Sequence, residues 1–315
     1  MTDDLPEPTV VELDAPVASY VLGPERDDDA VATSSLGPER DGAATNAADV
    51  VLCHGTPWSS RVWEPVARLL ARDRRVYLWD MPGYGASIPA AAPTDGIDAP
   101  DGSDGPPPDL PAVDLVAQRR RLAALLDHWG LERPHLVGHD IGGAVVLGAH
   151  LLEGGEAATI TLLDIVTLDP WGSPFFRLVA EHEDVFAALP SALHRALVRE
   201  YVTGAGGPGL DPALPDDLAR PWTSVDGQAA FYRQIGALTP EHTRPVVERL
   251  GSVRAPTAIA WGEADPWIPA EQGAELARLL PGDPEVTLLP GVGHLAPLEA
   301  TRAVARVIER RIAAK

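Results

Sequence analysis

The stretch that most constrains this chain is His135-Leu136-Val137-Gly138-His139-Asp140-Ile141-Gly142-Gly143, followed at once by the apolar run Ala144 to Leu152. A short apolar strand, a Gly-x-Asp-x-Gly turn and a small-residue helix start predict a strand-turn-helix corner. The glycines let two backbones approach, and Asp140 is left in a strained, exposed conformation. The alternative is that Asp140 simply caps the helix beginning at Ile141, since Asp is a favoured N-cap.

A corner of this kind is familiar with Ser at its apex, as a nucleophile elbow. Asp in that place changes the chemistry that follows. Serine attacking a saturated carbon would leave an ether that water does not cleave under these conditions. A carboxylate leaves an ester, open to an activated water at its carbonyl. An Asp elbow therefore implies substitution at an sp3 carbon.

The 315 residues, 45% of them hydrophobic, allow one sizeable core plus an insertion. The formal net charge of −21 argues against nucleic acid or an anionic membrane surface as partner, because both would be repelled. The single cysteine, Cys53, lies within an apolar run and reads as a small core residue. The start, Met1-Thr2-Asp3-Asp4-Leu5-Pro6, has no basic or apolar leader pattern, and no run approaches the ~18 apolar residues of a membrane span. A cytoplasmic protein is expected.

Along the chain, Val10 to Leu13 and Val17 to Leu22 read as short strands joined by a turn. The hexapeptide Leu22-Gly23-Pro24-Glu25-Arg26-Asp27 recurs as Leu36 to Asp41, which reads as an expanded surface loop rather than a solenoid. Strands are expected at Val50 to Cys53 and Arg75 to Trp79, with a helix from about Ser60 between them. The Pro-, Asp- and Ala-rich segment from Ile88 to Pro111 lacks the apolar content to order itself, so it is expected to be mobile. Leu115, Leu122, Leu125, Leu126 and Trp129 mark a helix face that stops at Gly130, and Ile160 to Val166 form the strand after the elbow helix.

Nearly all-apolar strands alternating with helices predict a mostly parallel α/β sheet covered on both faces. From about Asp169 to Arg254 helices with Gly/Pro breaks replace the alternation: Phe175 to Ala180, Ser191 to Val202, the loop Thr203 to Pro215, and Gly227 to Leu238. They read as an inserted helical cap. The organisation expected is a first core part over 1–168, the cap over 169–249 and a second core part over 250–315. Gly204 to Gly209 is glycine-rich but follows a helix rather than a strand, which argues against a phosphate loop. Strands resume at Thr257 to Trp261 and Glu285 to Leu289, with helices at Ala270 to Leu280 and at the end of the chain.

Such a sheet delivers two more groups to the ends of its strands. Asp265, in Trp261-Gly262-Glu263-Ala264-Asp265-Pro266-Trp267, and His294, in Pro290-Gly291-Val292-Gly293-His294, each follow a strand, where open parallel sheets bind their ligands. The order nucleophile, acid, histidine is that of an α/β-hydrolase triad. With His54-Gly55-Thr56-Pro57 and Asp80-Met81-Pro82-Gly83-Tyr84-Gly85 added, five motifs stand in the right order. On these motifs the chain resembles the Asp-nucleophile branch of the α/β-hydrolase fold, which includes epoxide hydrolases and haloalkane and haloacetate dehalogenases.

By that resemblance Asp140 forms an alkyl-enzyme ester, and His294, oriented by Asp265, activates the water that cleaves it. Asp164, past another strand, is the rival acid. The backbone N–H groups of Thr56 and Ile141 would hold the oxyanion, while Pro57, without an N–H, can only shape the turn, a cis bond being one way to do so. His54 and His139 read as hydrogen-bonding supports of their turns. No cofactor is implied, and the scattered histidines lack metal-ligand spacing.

The leaving group divides the branch. Haloalkane dehalogenases carry Trp after the nucleophile and a donor after His-Gly, where this chain has Ile141 and Thr56, and the Arg that takes a haloacetate carboxylate is absent. Epoxide hydrolases need cap tyrosines to protonate the oxirane oxygen. The cap offers Tyr201 and Tyr232, with Trp171 and Trp222 as further donors, and Trp58 is a candidate halide donor. The resemblance thus implies hydrolysis of a small apolar-to-amphipathic epoxide, with dehalogenation as the alternative and a ligand-binding, non-catalytic homologue as the remaining one.

Overall fold

A computed structural model of the chain describes residues 5–24, 49–89 and 110–314. The duplicated unit beyond Pro24 and most of the Ile88 to Pro111 segment lie outside the described residues, and so do the expectations attached to them.

Eight strands form one sheet: β1 (Thr9–Glu12), β2 (Pro16–Leu22), β3 (Val50–Cys53), β4 (Val76–Trp79), β5 (His135–His139), β6 (Thr159–Leu163), β7 (Thr257–Gly262) and β8 (Val286–Leu289). Their order is β1-β2-β4-β3-β5-β6-β7-β8, with β1 and β2 antiparallel to their neighbours and every other pair parallel. Every residue of β3, β4, β5 and β6 is buried, as strands covered on both faces must be, whereas at the edges β1 is largely exposed and β8 largely half-buried. The strand order reverses between β3 and β5. The loops leaving their carboxyl ends, which carry Thr56 and Asp140, therefore diverge around the crevice where such sheets bind ligands.

The helices are α1 (Glu64–Leu70), α2 (Leu115–His128), α3 (Ile141–Leu152), α4 (Pro174–Glu181), α5 (Glu183–Ala187), α6 (Ser191–Thr203), α7 (Leu214–Ala219), α8 (Val225–Gly236), α9 (Arg244–Val247), α10 (Glu271–Leu279), α11 (Ala296–Glu299) and α12 (Thr301–Ala313). On the sheet, α2 packs against α3 and α1 against α12. The elements from α4 to α9 form the insertion between β6 and β7. Three of them, α5, α7 and α9, are too short for a helical period to reveal, and α8 starts two residues before its expected onset because Ser224 caps it, accepting from the Gly227 N–H. Strand β6 also ends earlier than its apolar run. Asp164 takes a left-handed conformation (φ +48°), which turns the chain out of the sheet before Ile165 and Val166. Among the described residues no helix is long and apolar enough to cross a membrane.

Candidate active site

The corner between β5 and α3 forms as the glycines demand. A Cβ on Gly138 would stand 2.6 Å from the Gly142 carbonyl oxygen, and one on Gly142 would stand 2.5 Å from the Cys53 carbonyl oxygen. Asp140 at the apex has φ +53° and ψ −129°, a conformation that costs a non-glycine residue about 1–3 kcal/mol. Although Asp140 occupies the N-cap position of α3, its side chain makes no capping hydrogen bond. The carboxylate turns to the site instead: Oδ1 accepts from the Thr56 N–H at 2.7 Å, and Oδ2 stands 3.4 Å from His294 Nε2.

His294 is fully buried, with Nδ1 donating to Asp265 Oδ2 at 2.9 Å. The other Asp265 oxygen accepts from the Trp267 and Ile268 N–H groups, which fixes the carboxylate that orients the ring. Burial pulls the imidazole toward its neutral form. The charge of Asp265, with the hydrogen bonding and charge of Asp140, outweighs burial and holds His294 well above the ordinary histidine range. The rival acid, Asp164, is not on this ring. Its Oδ1 accepts from the Gly262 N–H at 2.6 Å and its buried Oδ2 has no partner among the described residues. Burial, then the charge of Asp265, push its carboxyl well above the usual carboxylate range.

Both turn histidines are held neutral. His54 donates from Nδ1 to the Gly55 carbonyl and accepts at Nε2 from the Met81 N–H, and burial lowers its pKa. His139 donates from Nε2 to the His294 carbonyl at 2.8 Å, and burial and the neighbouring His294 bring it down to about 4. On the oxyanion side, the Thr56–Pro57 bond is cis and the Thr56 N–H already faces Asp140. Ile141 is the first residue of α3, so its N–H has no partner within the helix.

The candidate leaving-group residues separate. Tyr232 is buried, and its hydroxyl meets His194 Nδ1 at 2.9 Å. His194 Nε2 lies 2.8 Å from the Trp222 carbonyl, which only an N–H can satisfy, so Nδ1 is the acceptor and the Tyr232 proton is already committed. Burial pushes Tyr232 up to about 12. Trp171 donates to Thr243 Oγ1 and Trp222 to the Pro57 carbonyl, so neither indole N–H is free for a substrate. Tyr201 differs: burial and the charge of Asp140 both raise its pKa, which puts it within the field of the carboxylate. Trp58 is buried with its indole N–H unpartnered.

Three residues beyond those expected join the site. Trp267 stacks on Trp58 at 5.7 Å and on Tyr201 at 4.7 Å, with its ring 5.0 Å from that of His294. Gln234 of α8 is fully buried, and its Oε1 accepts from Thr56 Oγ1 at 2.5 Å and from the Tyr84 hydroxyl at 2.8 Å, while its Nε2 has no partner among the described residues. A buried donor left unpaired costs about 1–3 kcal/mol. Trp267 and Tyr84 stand inside motifs already read from the sequence, whereas Gln234 carries no local signal. Among the described residues no group of three or more His, Cys, Asp or Glu side chains is arranged to hold a metal ion.

The glycine-rich stretch after α6 turns out to brace the histidine loop. The His294 N–H donates to the Ala205 carbonyl at 3.0 Å, and Glu299 Oε2 accepts from both the Gly207 and the Gly293 N–H groups, at 3.0 and 3.1 Å. A Cβ on Gly207 would stand 2.5 Å from the Gly293 nitrogen, so the two backbones interlock.

The chain is similar to known proteins in sequence and in fold. The alpha/beta hydrolase family matches residues 50–307. A crystal structure of an alpha/beta hydrolase fold protein from Burkholderia ambifaria is similar at 35% identity and a TM-score of 0.77, covering 95% of this chain and 96% of that one. The dihydrolipoyllysine-residue acetyltransferase component of the acetoin cleaving system of Pseudomonas putida is 26% identical over 81% of this chain. The match takes in only 60% of that relative's length. A 2-hydroxy-6-oxononadienedioate/2-hydroxy-6-oxononatrienedioate hydrolase of Cupriavidus pinatubonensis is 25% identical over 83% of this chain and 86% of its own length. A fluoroacetate dehalogenase of a Burkholderia species is 26% identical over 68% of this chain and 71% of its own length.

Proposed function

The chain belongs to the alpha/beta hydrolase family, and from that premise we propose that it hydrolyses epoxides to vicinal diols through an ester formed on Asp140. The observation that carries the reading is the Asp140 side chain. It sits at the elbow, makes no cap bond, and has one oxygen on the Thr56 N–H and the other beside His294. Oδ2 attacks an oxirane carbon, the carbon–oxygen bond breaks, and the alkoxide takes the Tyr201 proton. Asp140 is then a neutral ester, so part of what held a proton on His294 is gone, and that proton goes to make good the one Tyr201 lost.

His294 is now neutral and can act as a base. Water attacks the ester carbonyl and gives His294 a proton, and the oxyanion is held by the Thr56 and Ile141 N–H groups. Collapse expels the second alkoxide, which takes the remaining proton. The diol leaves, Asp140 is a carboxylate again and His294 is an imidazolium. Asp265 keeps the ring in register throughout. The helices of 169–249 act as the cap, a role supported by the bonds from Gln234 to Thr56 and Tyr84 and from Trp222 to Pro57. The reading includes a cytoplasmic enzyme with a small apolar-to-amphipathic substrate and neither nucleic acid nor membrane as partner, consistent with the net charge of −21.

A second reading, dehalogenation by the same ester, is favoured by the unpartnered Trp58 N–H, a fit donor for a departing halide, and by the fluoroacetate dehalogenase relative. Mass spectrometry of His294→Gln after exposure to aryl epoxides and alkyl halides separates the two. A gain on Asp140 equal to the whole epoxide mass supports the first reading, and a gain equal to the alkyl group alone, with halide released, supports the second. Wild-type turnover of an epoxide with Asp140 of the variant unmodified would overturn the ester mechanism.

A further inference from the structure

We infer that the amide of Gln234 binds substrate, its Nε2–H donating to a neutral oxygen (ether, carbonyl or hydroxyl) that the substrate carries near its electrophilic carbon. The inference rests on the epoxide reading and adds a requirement on the part of the substrate that does not react. Gln234 is fully buried, and its two ends are treated differently. Oε1 receives two hydroxyls, from Thr56 at 2.5 Å and from Tyr84 at 2.8 Å. The shorter contact suits O–H···O and is too close for N–H···O, which sets the oxygen toward the hydroxyls and the nitrogen away from them. The nitrogen meets no acceptor among the described residues. Buried polar groups are as a rule paired, so the unpaired nitrogen has its hydrogen bonds left to give.

The same bonds locate the amide relative to the nucleophile. Thr56 donates its hydroxyl to Gln234 Oε1 and its N–H to Asp140 Oδ1, the latter at 2.7 Å. Gln234 thus approaches from the side of the oxygen that is held, while Oδ2, beside His294, is the one free to attack. With the oxirane oxygen assigned to Tyr201, the Gln234 donor is left for a group beside the reacting carbon. The charge at the far end of this chain of bonds is the Asp140 carboxylate, which repels an anionic substituent, so a neutral oxygen fits and a carboxylate does not.

The test is a competition in one tube. His294→Gln protein, which traps each productive encounter on Asp140, is exposed to phenyl glycidyl ether together with its carbon isostere, in which a methylene replaces the ether oxygen. The two adducts are weighed by mass spectrometry. Their ratio does not depend on how much of a variant is folded, so a destabilised variant still reports. Adding Gln234→Leu should lower the ether-to-methylene ratio about tenfold. Gln234→Glu keeps an oxygen for the two hydroxyls but turns the donor into an acceptor, and should lower the ratio at least as far. A ratio unchanged in both variants overturns the inference and leaves the ester mechanism standing, because adducts still form. If neither probe modifies Asp140 in the His294→Gln parent, the ester reading falls and this inference falls with it.

Discussion

Two aspartates follow adjacent parallel strands with nearly the same positive φ, Asp140 after β5 at +53° and Asp164 after β6 at +48°, and both are buried. Their surroundings differ. Asp140 has a donor for each oxygen, the Thr56 N–H and His294. Asp164 has one donor, the Gly262 N–H, and one bare oxygen, so burial and the charge of Asp265 favour its protonated form. A left-handed aspartate at the end of a strand is therefore not in itself a nucleophile. What distinguishes the two is the histidine within reach of one and the lone backbone donor of the other.

The comparison is open to direct attack. Asp140→Asn should lower turnover on the order of 10⁴-fold, and equal losses from Asp164→Asn would erase the distinction. His294→Gln should slow turnover by about 10³-fold while the ester accumulates, read as the fraction of protein carrying an adduct after one turnover time. Tyr201→Phe should slow the first-step alkylation of Asp140 by epoxides about 10²-fold, and Tyr232→Phe should leave that step unchanged because its proton is committed to His194. The smallest effect is thermal. Asp164 is protonated in the folded protein above the pH at which the unfolded chain ionises it, so its contribution to stability is full below the ordinary carboxylate range and is lost as pH rises through its raised value. Asp164→Asn, which keeps an acceptor for Gly262, should raise the Tm by about 2 °C near pH 8, a gain that vanishes below about pH 4 in a series of melting curves.

The parts of this fold that were legible in the sequence are those imposed by the backbone. The corner at Asp140 declares itself because Gly138 and Gly142 leave no room for a side chain, and the order of the five motifs follows from strands that must be apolar on both faces. The insertion was legible as helices but not in its facing. Tyr232 and Gln234 are two residues apart on α8, about 200° around the helix, so only one of them can look toward Thr56. The apolar pattern does not say which, because the choice is made by α6, whose His194 takes the Tyr232 hydroxyl. Asp265 and Asp164 are likewise indistinguishable by spacing, since each follows a strand; the reach to His294 Nδ1 separates them.

The interlock between the glycine-rich stretch and the histidine loop bears on how such a protein can be re-engineered or diversified. The insertion lends its own main chain to the core, through Ala205 to His294 and through Gly207 to Glu299. A transplanted or shortened insertion that lacked those residues would arrive without its bonds to the histidine loop. Any exchange of the insertion on this scaffold must therefore carry 204–207 along.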